Sequence, residues 1–153
     1  MRGERKKNLM FKKIVVAFDE SPEAKRAFHY ALGLAKFASA ELHLITVLEN
    51  PPAYMSYVAA LAPDVPVLLK NEKRNFYSDL QDKARAEAEE AGVSITPEMT
   101  EGDVAAELLR VLDETKPDLL VIGLRHEHGV GRLMGGTAHQ MAVHANCNLL
   151  GVH

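Results

Sequence analysis

Residues 119–138 read LLVIGLRHEHGVGRLMGGTA. The apolar start predicts a buried strand that ends at Gly123, and Gly136 and Thr137 are typical of the start of a helix. Five of the ten glycines in the chain lie between positions 123 and 136. Backbone N–H groups in glycine loops and at helix N-termini attract anions, so this order of strand, loop and helix indicates a phosphate site. A mobile surface loop without a ligand is the alternative.

The composition is that of a globular protein. The chain has 153 residues, of which 47% are hydrophobic and 25% charged, and residues 10–153 are predicted to form a single domain. No stretch approaches the roughly 20 apolar residues that span a bilayer, and no apolar signal segment follows the basic first residues. The one cysteine, Cys147, excludes an intramolecular disulfide and suits a reducing compartment, which predicts a cytoplasmic protein without a membrane partner.

The charge is unevenly distributed. Residues 1–9 carry four basic side chains and one acidic side chain, a net charge of +3, so the remainder carries −3 − 3 = −6. An acidic body argues against nucleic acid as a partner, because binding to phosphates needs clustered lysine and arginine. Residues 1–9 are predicted to be a basic, disordered tail without an assigned function.

The first half of the chain alternates strand and helix. Residues 14–18 are apolar and β-branched, which predicts a strand buried on both faces. Ser21 is a predicted N-cap, with proline at the first helical position, and the helix is expected to reach Ala38. Residues 42–48 predict the second strand. A parallel pair with a right-handed crossover follows from this order.

Residues 49–66 interrupt that alternation with four prolines. A connection of this length predicts a lid, a binding loop or a partner surface, and a short helix packed on the body is the alternative. A charged helix over residues 67–91 and an edge strand over residues 93–99 with Pro97 are expected next. A helix capped by Asp103 follows.

The C-terminal part supplies the fourth strand, a helix over residues 137–146 and a last strand that begins at Asn148 and ends at His153. The total is five strands alternating with four helices. This pattern predicts an α/β fold: a doubly wound, mainly parallel sheet with helices on both faces.

Ligands of such sheets bind beyond the carboxyl ends of the strands, where the strand order reverses. The first and fourth strands have the most continuous apolar runs, so they are predicted to form the central pair. Asp19 and Gly123 would then meet across one crevice. Asp19 could accept hydrogen bonds from an adenine amino group or ribose hydroxyls, or could cap local backbone instead.

The P-loop pattern, the dinucleotide-binding glycine pattern and the G-x-S-x-G elbow are absent from the sequence. From Met10 onward, however, the chain resembles the universal stress protein family. Four segments carry the resemblance: FKKIVVAFDESPEAKRAFHYAL, LITV, EGDVAAELLRVLDETKPDLLVIG and GRLMGGTAHQMAVHANCNLLGV. The resemblance implies a Rossmann-like sheet of order 3-2-1-4-5.

The nucleotide-binding branch of the family has the pattern G-x2-G-x9-G-[ST]. Gly123, Gly136 and Thr137 match it, whereas His126 replaces the second glycine. A histidine there could block close approach to the phosphates, or could donate hydrogen bonds to them. The site residues that the resemblance implies are Ala17, Asp19, Val47, Ile122, Gly123, His126, Gly136, Thr137 and Ala138.

The implied ligand is an adenine nucleotide, ATP or else AMP or ADP, with Mg²⁺ as an accompanying ion. The implied function is that of a regulatory module in the stress response, with ATP hydrolysis that is slow at most. A branch of the family lacks the glycine pattern, so a protein-interaction module with an empty site is the alternative. An enzyme of the wider adenine-nucleotide group is the third reading, and the missing catalytic motifs argue against it.

Two further features have simpler interpretations. His126 and His128, with His139 or His144, could hold a metal ion, although loop histidines of this kind are usually solvated. Cys147 is interpreted as packing rather than as a nucleophile. The last strand, Asn148 to His153, leaves an exposed edge, and family members dimerise through this strand, so a homodimer is expected.

Overall fold

The fold is a five-stranded parallel sheet with helices on both faces. The computed structural model describes residues 10–125 and 136–153. The strand order is β3-β2-β1-β4-β5, and all four strand pairs are parallel. The predicted doubly wound fold and its order are confirmed. The elements are β1 (Lys13–Ala17), α1 (Pro22–Ala38), β2 (Glu41–Glu49), α2 (Met55–Leu61), α3 (Asp64–Glu90), β3 (Ile95–Gly102), α4 (Val104–Thr115), β4 (Leu119–Gly123), α5 (Thr137–His144) and β5 (Asn148–Val152).

The core lies on both faces of the central strand β1. Ile14 and Val16 pack with α1 and α3 on one face, and Val15 packs with α4 and α5 on the other. All three side chains are fully buried. An apolar run without alternation is the sequence signature of a strand covered on both sides, which is why β1 could be recognised directly.

Local sequence signals set the ends of α1. The Ser21 hydroxyl accepts a hydrogen bond from the backbone N–H of Ala24 at 3.1 Å, and Pro22 occupies the first turn. The helix ends at Ala38, as predicted, with Ser39 in the left-handed conformation at φ 54°. Gly92 has φ +75°, which confirms it as the stop after α3.

Residues 49–66 do not form one long loop, and the alternative that the sequence left open, a short helix, is the one present, although none of its residues is buried. The described residues therefore form five helices rather than the predicted four. The short helix is α2, and α3 begins at Asp64 rather than at position 67. Pro63 is the N-cap of α3 and Pro66 lies in its first turn. Proline is tolerated there because the first N–H groups of a helix have no partner within it.

Polar contacts fix α3 against the sheet. The buried Gln81 donates from Nε2 to the Thr46 hydroxyl and to the Glu98 carbonyl, both at 2.9 Å. Nearer the start of the helix, the Tyr77 hydroxyl donates to the Glu20 carboxylate at 2.6 Å. Burial and the neighbouring carboxylates raise the pKa of Tyr77, so its hydroxyl remains a donor. These contacts fix the position of α3 along the strands of the sheet.

Among the described residues, no helix is both long enough and apolar enough to cross a bilayer. The predicted tail, residues 1–9, lies outside the described residues.

At the N-terminal edge of the sheet, the Asp118 carboxylate joins the starts of β1 and β4. It accepts hydrogen bonds from the backbone N–H groups of Lys12 at 2.7 Å and Lys13 at 2.9 Å. These bonds to the charged form lower the pKa of Asp118. The carboxylate therefore stabilises the native state when it is ionised.

We predict that Asp118→Asn reduces the acid sensitivity of folding. Above the pKa of Asp118 in the unfolded chain, about 3.9, the ionised carboxylate stabilises the native state in full. This stabilisation is lost as the pH falls toward the lower pKa that Asp118 has in the native state. The variant should have a lower free energy of unfolding at neutral pH and a shallower decline below about pH 5. Urea titrations across pH measure both, with Asp113→Asn on the exposed face of α4 as the control. Parallel pH profiles for the Asp118 variant and the unmodified chain would contradict the prediction.

Candidate functional site

Four of the predicted site residues form an apolar floor at the carboxyl end of the sheet. Ile122 is 6% exposed and belongs to the core cluster between the sheet and helices α4 and α5. Ala17, Val47 and Ala138 are partly buried against the same cluster. They come from β1, β2 and α5, which the fold brings together on one face. A small, half-covered apolar surface of this kind suits a flat ring.

Asp19 follows the end of β1 and has two partners. Its Oδ1 accepts a hydrogen bond from the Ser21 backbone N–H at 2.8 Å, and its Oδ2 pairs with the Arg125 guanidinium at 3.0 Å. The local capping role, considered from sequence as an alternative, is therefore present. The side chain remains 38% exposed, so it also faces solvent at this edge. Sequence reasoning missed the ion pair with Arg125, because the two residues are 106 positions apart.

Gly136 and Thr137 lie where the sequence predicted, at the N-terminus of α5. Gly136 is the N-cap with extended backbone, and Thr137 is the first helical residue. A Cβ placed on Gly136 would have nothing within 4 Å among the described residues. Among the described residues, no side chain caps the start of this helix, and uncapped N–H groups at a helix N-terminus attract anions.

A cleft of about 330 Å³ opens beside this helix start. Thr137 is the one predicted site residue in its wall. The other lining residues come from the ends of β2 and β3 and from the first turns of α4 and α5: Glu49, Asn50, Gly102, Asp103, Val104, Ala105 and Gln140. Sequence reasoning assigned none of these to the site. Asp103 was recognised only as a helix cap, which it is, since its Oδ1 accepts from the Ala106 N–H at 2.9 Å.

The remaining histidine and cysteine hypotheses have less support. His126 and His128 lie outside the described residues, so the departure from the glycine pattern has no structural description. Within residues 10–125 and 136–153, no three histidine, cysteine or acidic side chains converge on a possible metal position. Cys147 is half-buried against the core cluster, and burial raises the pKa of its thiol, which makes it a poor nucleophile.

Comparison with known proteins identifies the family. Residues 10–153 match the model of the universal stress protein family. The universal stress protein MJ0531 of Methanocaldococcus jannaschii is 32% identical over 142 residues, covering 92% of this chain and 81% of that protein. This chain belongs to the universal stress protein family.

Solved structures agree with that assignment. The universal stress protein UspA from Lactobacillus plantarum superimposes with a TM-score of 0.74 at 21% identity, covering 93% of this chain and 97% of that one, which supports the fold. A universal stress protein in complex with cAMP has a TM-score of 0.71 at 28% identity, covering 94% of this chain and 98% of that one. That relative binds an adenine nucleotide.

In this universal stress protein, Gly123 has a packing role. A Cβ at this position would lie 2.6 Å from the Glu23 carbonyl carbon and 2.7 Å from the Ala24 nitrogen. The end of β4 therefore packs against the first turn of α1 more closely than any other residue type allows. Both contacts are with backbone, which cannot move aside as a flexible side chain could.

We predict that Gly123→Ala destabilises the fold by about 1–3 kcal/mol, the usual cost of overpacking. Gly33→Ala is the matched control, because a Cβ there meets nothing within 4 Å and the residue lies inside α1. The control should stabilise the protein by roughly 0.5–1 kcal/mol through helix propensity. Urea unfolding measures both. Equal effects of the two substitutions would show that the contact with α1 relaxes easily.

Proposed function

We propose that this universal stress protein is a cytoplasmic regulatory module of the stress response that binds an adenine nucleotide (ATP, ADP or AMP) and acts as a homodimer. The observation that carries the proposal is the junction of three features at one edge of the sheet. Thr137 lines the cleft and begins α5, and the next residue, Ala138, belongs to the apolar floor, so the three features meet at the start of this helix. An adenine nucleotide has an apolar ring, a polar sugar and an anionic end, which correspond to these features.

The charges around the cleft favour one orientation of the ligand. Glu49 and Asp103 line it, and carboxylates accept hydrogen bonds from hydroxyl and amino groups but repel phosphates. The proposal therefore places the adenosine part over the apolar floor and the cleft. The phosphates would lie at the other end, near Gly136 and the Thr137 hydroxyl.

Three groups support a phosphate position at the start of α5. The first N–H groups of the helix carry partial positive charge, and the Thr137 hydroxyl can donate a hydrogen bond. Arg125, which pairs with Asp19 and is 62% exposed, is a cation close to this edge. Mg²⁺ would be carried by the phosphates of ATP, since the described residues contain no acidic group of three that could hold it alone.

The relative with bound cAMP supports the ligand class, because it is 28% identical to this chain over nearly its full length. The proposal includes no dedicated catalytic activity, and ATP hydrolysis would be slow at most. Asp19 already accepts from Ser21 and pairs with Arg125, so it is poorly placed to act as a general base.

The acidic cleft also supports a second candidate, a protein-interaction module of the same fold with an empty nucleotide site. Glu49 and Asp103 reduce the affinity for any phosphate that lies close to them.

The nucleotide content of the purified protein distinguishes the two candidate functions. After denaturation of the purified protein, the supernatant is examined for adenine nucleotide by absorbance and mass spectrometry, and thermal shifts are recorded with ATP, ADP and AMP, with and without Mg²⁺. An empty protein that no nucleotide stabilises would favour the interaction module.

We predict that Thr137→Val and Asp19→Asn each weaken nucleotide binding about tenfold or more, the effect expected when a hydrogen bond to a charged group is lost. Glu20→Gln is the control, because Glu20 is adjacent in sequence but bonds to Tyr77 on α3. Isothermal titration with ATP and AMP measures the dissociation constants. If Glu20→Gln weakens binding as much as Asp19→Asn, general charge rather than a contact of Asp19 is responsible.

The proposed dimer uses the edge of β5. The sheet has two edge strands, β3 and β5. Pro97 and two glutamates, Glu98 and Glu101, lie in β3, and residues of these types discourage strand pairing. In β5 the sequence is NLLGV, which offers an uncharged edge to a second copy. A shared edge would join the two sheets.

Hydrogen exchange tests this dimer without a mutation. Amide exchange in β5 should slow as the protein concentration rises, because an added strand protects its outward N–H groups. The amides of β3 serve as the internal control and should not respond. Exchange in β5 that is independent of concentration would contradict dimerisation through this strand.

A further inference from the structure

The helical hairpin between β2 and β3 is not explained by the nucleotide site. We call residues 54–76, which comprise α2 and the first half of α3, the arm. Tyr77 contacts Glu20 just beyond the carboxyl end of β1, so the residues of α3 that precede it extend past the end of β1, where β2 and β3 continue. Residues 64–76 correspond to about 20 Å of helix. The arm therefore lies at the same edge of the sheet as the candidate site.

Large apolar side chains of the arm are exposed. Leu61 is 90% exposed, Tyr57 76%, Leu68 60% and Leu69 50%. None of the residues of α2 is buried, and the buried residues of α3 begin only at Tyr77. Within the part of the chain that the structure describes, this is the largest concentration of exposed apolar residues. Its full membership is Tyr54, Tyr57, Leu61, Val65, Val67, Leu68, Leu69 and Phe76.

The spacing of these residues forms a stripe on α3. Val65, Leu68 and Leu69 occur at i, i+3 and i+4, and Phe76 returns to the same side three turns later. This stripe is separate from the face that packs on the sheet through Tyr77, Gln81, Ala84 and Ala88. Tyr54, the N-cap of α2, and Tyr57 and Leu61 within it occur at i, i+3 and i+7, which also places them on one side of a helix. A helix face of this pattern is typical of a helix that packs against others.

The arm is held in place at its base. Lys70 pairs with Glu101 at 2.8 Å, and Arg74 pairs with the same carboxylate. Gln81, one turn beyond Tyr77, is bonded to two strands. Since α3 is fixed by these contacts, its stripe cannot turn toward the sheet without breaking them. The exposed face is therefore pre-organised for a partner, which reduces the entropic cost of association.

The area of the arm fits a dimer contact. Without Val67, which lies outside the stripe, the large apolar residues of the arm expose on the order of 800 Å² at these fractions, taking ~200 Å² for a fully exposed aromatic residue. A stable interface needs about 800 Å² from each partner, whereas the largest patch on a monomer is typically about 300–600 Å². The arm can therefore supply one side of an interface on its own.

The charge of the arm selects the kind of partner. The arm has two acidic residues and three basic residues, a net charge of +1. With the carboxylate of Glu101, which pairs with two of the basic residues, the net charge of this region is zero. The residues are Asp64, Glu72, Lys70, Lys73 and Arg74. A neutral apolar surface does not repel an identical copy of itself. It also lacks the excess of basic residues with which peripheral helices bind anionic lipid.

We propose that the arm packs against the arm of a second copy of this chain, so that α2 and α3 of two subunits form a four-helix contact. This interface is distinct from the β5 edge, because α3 lies over β2 and β3 on the far side of β1. If both interfaces form, the assembly is larger than a dimer. If β5 does not pair, the arm alone produces a dimer.

Sedimentation of the full chain over a range of concentrations tests the proposal. Leu68→Glu places a charge in the stripe and should halve the mass of the assembly, with the dissociation constant of the arm contact raised at least about tenfold. Val67→Glu is the matched control, because this residue is 58% exposed on the same helix but outside the stripe. Circular dichroism confirms that both variants fold. An unchanged mass for Leu68→Glu, or an equal loss with Val67→Glu, would overturn the proposal.

Crosslinking provides the second measurement, and it does not depend on the β5 contact. In a Cys147→Ala background, Leu68→Cys should form a disulfide between subunits on mild oxidation, and Val67→Cys should not. Failure of Leu68→Cys to crosslink at concentrations where the protein is oligomeric would contradict the arm contact. Binding to vesicles of phosphatidylserine and phosphatidylcholine that Leu68→Glu abolishes would overturn it in favour of a lipid surface.

Discussion

The burial of β1 on both faces is the constraint on which the rest of the structure depends. Ile14, Val15 and Val16 have no exposed surface, and the strand pairs with β2 on one side and β4 on the other. Such a strand requires a helical layer on each face, and parallel pairing requires every crossover to return along those layers. As a consequence the carboxyl ends of the strands share one edge. Asp19 and the apolar floor owe their proximity to this arrangement.

The close contact at Gly123 changes the interpretation of the glycine pattern. Because β4 packs against the backbone of Glu23 and Ala24, glycine is required there whether or not a phosphate is bound. Gly136 differs, since a Cβ would meet nothing within 4 Å among the described residues. Gly136 is therefore better evidence for a bound ligand than Gly123. The stronger support for a nucleotide comes from Gly136, Thr137 and the adjoining cleft.

Sequence patterns predicted the elements whose signals are local. The apolar run of β1, the Ser21 cap and the glycine after α3 each depend on neighbouring residues, and the structure has all three. The predicted start of α3, after Pro66, is three residues too late, because the first turn of a helix accepts proline. The polar lining of the cleft could not be predicted. Glu49 and Asp103 are 54 positions apart, and their shared position depends on the pairing of β2 with β3.

The same lining bears on which adenine nucleotide the proposed site would prefer. Every phosphate added to the ligand brings negative charge toward an edge that already contains the carboxylates of Glu49 and Asp103. The N-terminus of α5 offsets only about half a charge, and Arg125 is shared with Asp19. A triphosphate would therefore need Mg²⁺ or the release of Arg125 from its ion pair, whereas a monophosphate needs neither. For this electrostatic reason, the described residues favour nucleotides with few phosphates. Tight binding of ATP would require cations or hydrogen-bond donors from the residues between Arg125 and Gly136.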